Sequence, residues 1–394
     1  MTAEHEAIQR SNPFIELPTR IFLTGEGLQL FSRNPAQVQK ELNRDGIRKE
    51  GLISKRYNAV LVQKLVLNSY AEEIFVSEPA LLKYRAEIIS TNNLIVYAIL
   101  YKKLSPSLAK MFFESSVVKA YNRKNPRNSI VNLDMISTEK VDLLRTEQKG
   151  LFETMEREIH DEVSSLILNN TLLSEEDKKN RIRSLDKFIA WIDRRIWYLY
   201  LIIYKTMFRR EMMHSFSSMI AAYLSRTQIA THLSNLLMEF IQNAEKAHME
   251  RIIVKGRFAP ASTIDSFLRD SSNRSFVEER AMRQKQMLEL SWDINSETIF
   301  VEQKSKIALT VSNYGLITEA MRQQLSSKMR SNVAGISLAG FYDDTAEERL
   351  GAGLGLLYNS FLEDICRKEG IHYKCNIFPE PQKEKTSVKL EIIL

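Results

Sequence analysis

The 394-residue sequence predicts an α+β fold, helical through about residue 216 and mixing helices with strands from residue 217 onward. Three observations predict it. Apolar residues recur at helical spacing over long stretches between Ile47 and Met219; segments near Arg251–Lys255, Thr298–Glu302, Lys306–Ser312, Ile371–Phe378 and Ser387–Leu394 read as strands; and a Gly-rich turn, Gly351-Ala352-Gly353-Leu354-Gly355, precedes a helical run from Leu357 to Lys368.

Taken in order, residues 1–45 hold Pro13, Pro18, Gly25, Gly27 and Pro35 and read as loops with one short element. From Ile47 to about Tyr121, Leu61, Leu65, Val66, Ile74, Leu81, Ile88, Leu94, Leu100, Leu108 and Phe112 supply helical faces, with breaks at Pro79 and Pro106. A helical N-terminal domain over 1–125 follows, closed by the polar segment Asn122–Asn128. Next, Ser137–Asn170 and Ser174 to about Met219 carry apolar stripes at threes, fours and sevens and form a long hairpin, which makes up the expected domain 126–216. Such a pair has more apolar face than it hides alone, so a homodimer closing a four-helix bundle is expected. The aromatics Trp191, Trp197, Tyr198, Tyr200 and Tyr204 belong to this core or seam. The C-terminal domain spans 217–394, with a polar, helix-prone insert at about 259–297.

Composition narrows the class. A net charge of +6, with 55 basic and 49 acidic residues interspersed, is far from the dense basic stripe of a nucleic-acid binder. The two cysteines, Cys366 and Cys375, lack metal-ligand spacing and suit a reducing cytoplasm. The first residues carry acids and no apolar core of leader length, and no apolar run reaches the roughly 18 residues of a membrane span. A cytoplasmic signalling or regulatory protein fits these bounds.

Chemistry concentrates in two segments of the C-terminal domain. Glycines at every second position from Gly351 to Gly355 let backbone N–H groups close on phosphate oxygens, and the following helix directs its positive end at the same anion. About a hundred residues earlier, Thr231–His248 shows a buried helix face at Leu233, Leu236, Leu237, Phe240, Ile241 and Ala244. Glu239 and Asn243 fall one turn apart on it. A carboxamide there can hold a triphosphate-bound Mg²⁺, and the carboxylate can position or deprotonate a water or hydroxyl; an ordinary polar helix rim is the alternative.

Together these segments resemble the Bergerat-fold ATP-binding domain shared by DNA gyrase, the ninety-kilodalton heat-shock chaperones, sensor histidine kinases and MutL, over roughly Ser217 to Leu394. The resemblance implies a two-layer α/β sandwich with a mixed, mostly antiparallel sheet. It implies ATP and Mg²⁺ as ligands, Asn243 on the metal, Glu239 as the acid before it, and Gly351, Gly353, Leu354 and Gly355 as the phosphate turn. Phe341-Tyr342 matches the lid, and Thr386 the residue that opens the last strand near the adenine. The middle motif departs from the pattern: in Val311-Ser312-Asn313-Tyr314-Gly315-Leu316-Ile317, Asn313 stands where an Asp is usual and Ile317 where a second Gly is usual. Asn still accepts a hydrogen bond but without charge, which lowers the expected adenine affinity.

In the first hairpin helix, Arg157-Glu158-Ile159-His160-Asp161-Glu162-Val163 resembles the phosphoacceptor segment of the NarL-partner class of sensor histidine kinases, with Ser164 where Gly is usual. The resemblance makes His160 the phosphoacceptor and Asp161 the acceptor of its proton. His160 lies about 100° around the helix from the Ile159 stripe and so faces outward. The expected activity is ATP-dependent autophosphorylation on His160 and transfer to a response regulator or other signalling protein. Two rivals remain open: an ATPase of the same superfamily using Glu239 to activate water, and a non-catalytic module with a degenerate nucleotide site.

Overall fold

The computed structural model describes residues 14–171, 173–260, 263–283, 287–299, 302–317 and 354–393. In chain order these form β1 (Phe14–Ile15), β2 (Thr19–Leu23), α1 (Gly25–Leu30), β3 (Val38–Leu42), β4 (Arg48–Ser54), β5 (Tyr57–Asn58), α2 (Ala59–Leu67), β6 (Ala71–Glu78) and α3 (Arg85–Glu114). Then come α4 (Ser116–Lys124), α5 (Thr138–Glu147), α6 (Lys149–Leu168), α7 (Glu175–Trp191), α8 (Arg194–Tyr204) and α9 (Arg209–Arg226). The chain closes with α10 (Gln228–Gly256), α11 (Ile264–Arg269), α12 (Ser271–Arg283), β7 (Leu288–Ile299), β8 (Glu302–Tyr314), α13 (Leu354–Lys368), β9 (His372–Glu380) and β10 (Lys385–Ile393). Among the described residues no helix is long and apolar enough to cross a membrane.

The chain divides into two compact units, one of Met1–Ile95 with Ile229–Leu394, the other of Val96–Gln228. This replaces the expected boundaries near 125 and 216. The first unit is built on an eight-stranded sheet of order β3-β4-β2-β6-β7-β8-β10-β9, and β1 pairs with β5 apart from it. Every described pairing is antiparallel, so the expected mixed sheet is wholly antiparallel over these strands. The all-helical N-terminal region is corrected too, because β2, β3, β4 and β6 join the C-terminal strands in one sheet.

Register explains the core. One row crosses the sheet as Leu52, Ile21, Ile74, Trp292, Leu309, Leu390 and Cys375. Because strand side chains alternate between faces, this row and its second neighbours make one apolar face. The next row is mixed, running Gly51, Phe22, Glu73, Asp293, Ala308, Glu391 and Lys374, with its charged residues on β6, β7, β10 and β9. The apolar face is tied to its helices at Asn92 of α3: Trp292 Nε1 donates to Asn92 Oδ1 at 3.3 Å, and Asn92 Nδ2 donates to Ser234 Oγ of α10 at 2.9 Å.

Two local expectations change with α10. The segment Arg251–Lys255, expected as a strand, continues the helix, since Met249, Ile252 and Ile253 at helical spacing bury against Ile264, Val277 and Ala281 of α11 and α12. The insert at about 259–297 is helical only through α12; β7 follows and takes a central place in the sheet.

In the second unit the two long helices are divided. The first breaks at Gln148, beside Gly150, into α5 and α6; the second breaks at Ile192-Asp193, where the Asp193 carboxylate accepts from Arg195 N at 2.9 Å and caps α8, and again before α9. Ser137 and Ser174 cap α5 and α7 at the expected starts. Pro106 lies inside α3 instead of ending it, held there by the buried Leu104, Leu108 and Phe112 around it. The aromatic core is as expected: Trp197 and Tyr200 are buried, and Phe216 meets Phe112 edge-on at 5.5 Å and Tyr200 at 5.4 Å.

Candidate functional site

Helix α10 buries Leu233, Leu236, Leu237, Phe240, Ile241 and Ala244, as the spacing requires. Glu239, Asn243 and Arg251 fall on one i±4n ridge of the same helix, and Arg251 lies about 12 Å along the axis from Asn243. Asn243 is exposed, so its carboxamide is presented to solvent. Glu239 is half-buried, and that burial raises its carboxyl above the ordinary range against the opposing charge of Arg85.

The ridge ends at the head of two strands. Arg251 packs against Gly315, where an added Cβ would stand 3.4 Å from its Cδ and 3.5 Å from its Nη1, and Arg251 Nη2 donates to Glu384 Oε2 at 3.0 Å. Nη1 of the same guanidinium is buried and has no acceptor among the described residues. Asn313 on β8 and Thr386 on β10 are direct cross-strand partners. Gly315 then turns the chain out of β8 at φ +123°, a conformation that side chains rarely adopt. Its N–H donates to Glu384 O at 2.7 Å; the Thr386 hydroxyl donates to Gly315 O at 2.6 Å and accepts from Ile317 N at 3.0 Å.

The structure therefore brings Asn313, Gly315 and Thr386 together, against the helix carrying Glu239 and Asn243. Gly351 and Gly353 lie outside the described residues, as do Phe341 and Tyr342. Leu354 and Gly355 are the first residues of α13, so the Gly-rich turn gives way to helix earlier than the run from Leu357 implied.

His160 belongs to the other unit. On α6 it is 34% exposed, with Nδ1 at 3.6 Å from Asp161 Oδ1 and Nε2 at 3.3 Å from Asp186 Oδ1 on α7. Asp186 is not singled out by the sequence; only the packing of α6 against α7 reveals it. The flanking acids face α9 instead: Glu158 pairs with Arg209 and accepts from the Tyr204 hydroxyl at 3.1 Å, and Glu162 lies 3.4 Å from His214 Nδ1. His160 is thus the histidine of this stretch with a carboxylate near each ring nitrogen.

Sequence reading also passed over Glu245, two residues beyond Asn243 on the buried side. Its side chain is 4% exposed, accepts from Arg274 Nη2 of α12 at 3.0 Å, and is pushed up to about 7 by burial. Helical phase alone marks Glu245 as inward, next to the buried Ala244 and Ile241. Both cysteines are free, and burial pushes each thiol up to about 12, which keeps them protonated at neutral pH.

Comparison with known proteins places the chain in a family. A model of a family of unknown function (DUF8084) matches residues 10–394. The chain belongs to this family. The family's extent covers both units and both candidate sites. The chain is also similar to an uncharacterized protein of Treponema pallidum (strain Nichols), at 23% identity over 381 residues, covering 95% of this chain and 97% of the relative. No solved structure matches.

Proposed function

We propose that this chain is an ATP-binding signalling protein that resembles a sensor histidine kinase, with a Bergerat-type nucleotide site on its first unit and His160 as phosphoacceptor on its second. The observation that supports this most is the convergence of Asn313, Gly315 and Thr386 at one end of β8 and β10. These residues come from motifs 71 residues apart and meet beside Arg251 of the helix bearing Glu239 and Asn243. A buried guanidinium N–H without an acceptor is a ready partner for a phosphate oxygen.

The donor set suits a nucleotide-held Mg²⁺, which takes one or two protein oxygens and fills its shell with phosphate and water. Asn243 would hold the ion, and when bound it would neutralise charge on the phosphates. At the second unit, an imidazole nitrogen of His160 forms a bond to the γ-phosphorus as the bond from that phosphorus to the ADP oxygen breaks, and the ring proton passes to a carboxylate. Asp161 beside Nδ1 is placed to take it. A homodimer through the hairpin, a cytoplasmic setting and onward transfer to a response regulator complete the proposal.

Calorimetry with Mg-ATP, followed by incubation with γ-labelled ATP, tests it. Saturable binding lost in Asn243→Ala, with an acid-labile, base-stable label lost in His160→Ala, is the expected result; absence of binding at millimolar nucleotide overturns it. A second reading, hydrolysis of ATP with Glu239 as base, is favoured by the burial that raises the Glu239 carboxyl.

A further inference from the structure

The two helix breaks that periodicity did not announce, at Gln148 and at Ile192-Asp193, border one cleft of about 940 Å³ within the second unit. Its lining includes Arg145, Lys149 and Glu156 from around the first break and Trp191, Asp193 and Arg194 from around the second. That volume falls within the roughly 300–1,000 Å³ of small-molecule sites.

The lining has two characters. Ile189, Ile192 and the half-buried Trp191 form an apolar wall, and the Trp191 ring is held from behind by Tyr101 at a centroid distance of 5.1 Å. The cations of the lining are unequally engaged. Arg145 is bound to Glu156 at 2.5 Å and Arg194 to Asp142 at 2.7 Å, whereas Lys149 is 78% exposed and its nearest carboxylate, Glu153, stands at 3.7 Å. Lys149 is also the first residue of the 20-residue α6, which begins at Gln148 without a side-chain cap, so the positive end of that helix opens at the same rim. An aromatic wall and a loosely engaged cation at a helix start, lining one cleft, suit a ligand with a flat apolar body and one anionic group.

We propose that this cleft is a binding site for a small planar anion, an aromatic carboxylate or a compound of similar shape and charge, lying on Trp191 with its charge at Lys149. The site is independent of the nucleotide reading.

Isothermal titration of the full chain with 1-naphthoate, and with the neutral 1-naphthalenemethanol as control, tests it. Saturable 1:1 binding of naphthoate is expected, weakened by about tenfold for the neutral compound and in Lys149→Glu, the size of one charged contact, and lost in Trp191→Ala. The exposed Lys149 side chain makes its substitution safe for folding, and the circular dichroism melt of each variant checks this. Absence of saturable naphthoate binding, or binding equal in the native chain, Lys149→Glu and a folded Trp191→Ala, overturns the proposal.

Discussion

The Thr386 hydroxyl donates to the Gly315 carbonyl at 2.6 Å while accepting from the N–H of Ile317 at 3.0 Å, so one side chain of β10 fixes both sides of the turn that leaves β8. Gly315 holds φ +123° there, a conformation a side chain strains to adopt, although a methyl group would meet Arg251 Cδ at an ordinary contact distance of 3.4 Å. Gly315→Ala is expected to lower stability by about 1–3 kcal/mol through backbone strain, and Thr386→Val by about 1–2 kcal/mol through the two lost hydrogen bonds. Urea unfolding monitored by circular dichroism measures both. A Gly315→Ala chain as stable as the native one would show that the turn is not strained.

Glu245 makes stability depend on pH in an unusual direction for a carboxylate. Its folded value, pushed up to about 7 by burial, lies above the ordinary value of 4.5, so between those limits the native state binds more protons than the unfolded chain. Stability from this group is therefore greatest below about pH 4.5 and declines as pH rises to about 7. The full penalty is on the order of 3 kcal/mol. Glu245→Gln removes the charge and flattens the profile: unfolding midpoints at pH 5 and pH 8 are expected to differ less in the variant than in the native chain. An unchanged difference would place the titration elsewhere.

At His160 the second carboxylate has its own consequence. Asp186 Oδ1 sits 3.3 Å from Nε2, where its negative charge opposes the approach of a triphosphate to that nitrogen. If His160 accepts phosphate there, Asp186→Ala raises the initial rate of labelling severalfold, while Asp161→Ala lowers it. Phosphohistidine accumulation measured at early times separates the two, and a slower Asp186→Ala chain would recast Asp186 as an orienting group.

Four elements of the C-terminal half were legible in the sequence because their motifs are local, whereas β7 was hidden in the expected helical insert. The buried face of α10, the strand expected over Lys306–Ser312, the helix after the glycines and the last strand at Thr386 all stand near their expected positions. The N-terminal sheet was not. In β6 the run Ile74-Phe75-Val76 lies in an inner strand of the sheet, and so short an apolar run fits a helix as well as a strand. At Arg251–Lys255 the error ran the other way: β-branched Ile252, Ile253 and Val254 favour a strand by propensity, and packing on α11 and α12 overrode it. Within the candidate sites, residue types were readable, whereas the Arg251 contact with Gly315 and the Asp186 contact with His160 depend on register between distant segments. No local pattern encodes those contacts.

Glu239 decides between the two readings of the proposed nucleotide site. Burial raises its carboxyl and Arg85 only partly offsets this, so the group is a better base than an exposed glutamate, which is what activation of a water or hydroxyl requires. Glu239→Gln preserves size and hydrogen bonding while removing the basic oxygen. If the protein hydrolyses ATP through this residue, phosphate release falls by about 10²–10⁴-fold, the usual worth of a general base, with nucleotide binding retained. If it is a histidine kinase, the variant still binds Mg-ATP and still labels His160, at a rate reduced only as far as Glu239 positions the Asn243 turn. Parallel assays of free phosphate and phosphohistidine on the same preparation separate these outcomes, and loss of neither product in Glu239→Gln would remove Glu239 from the chemistry.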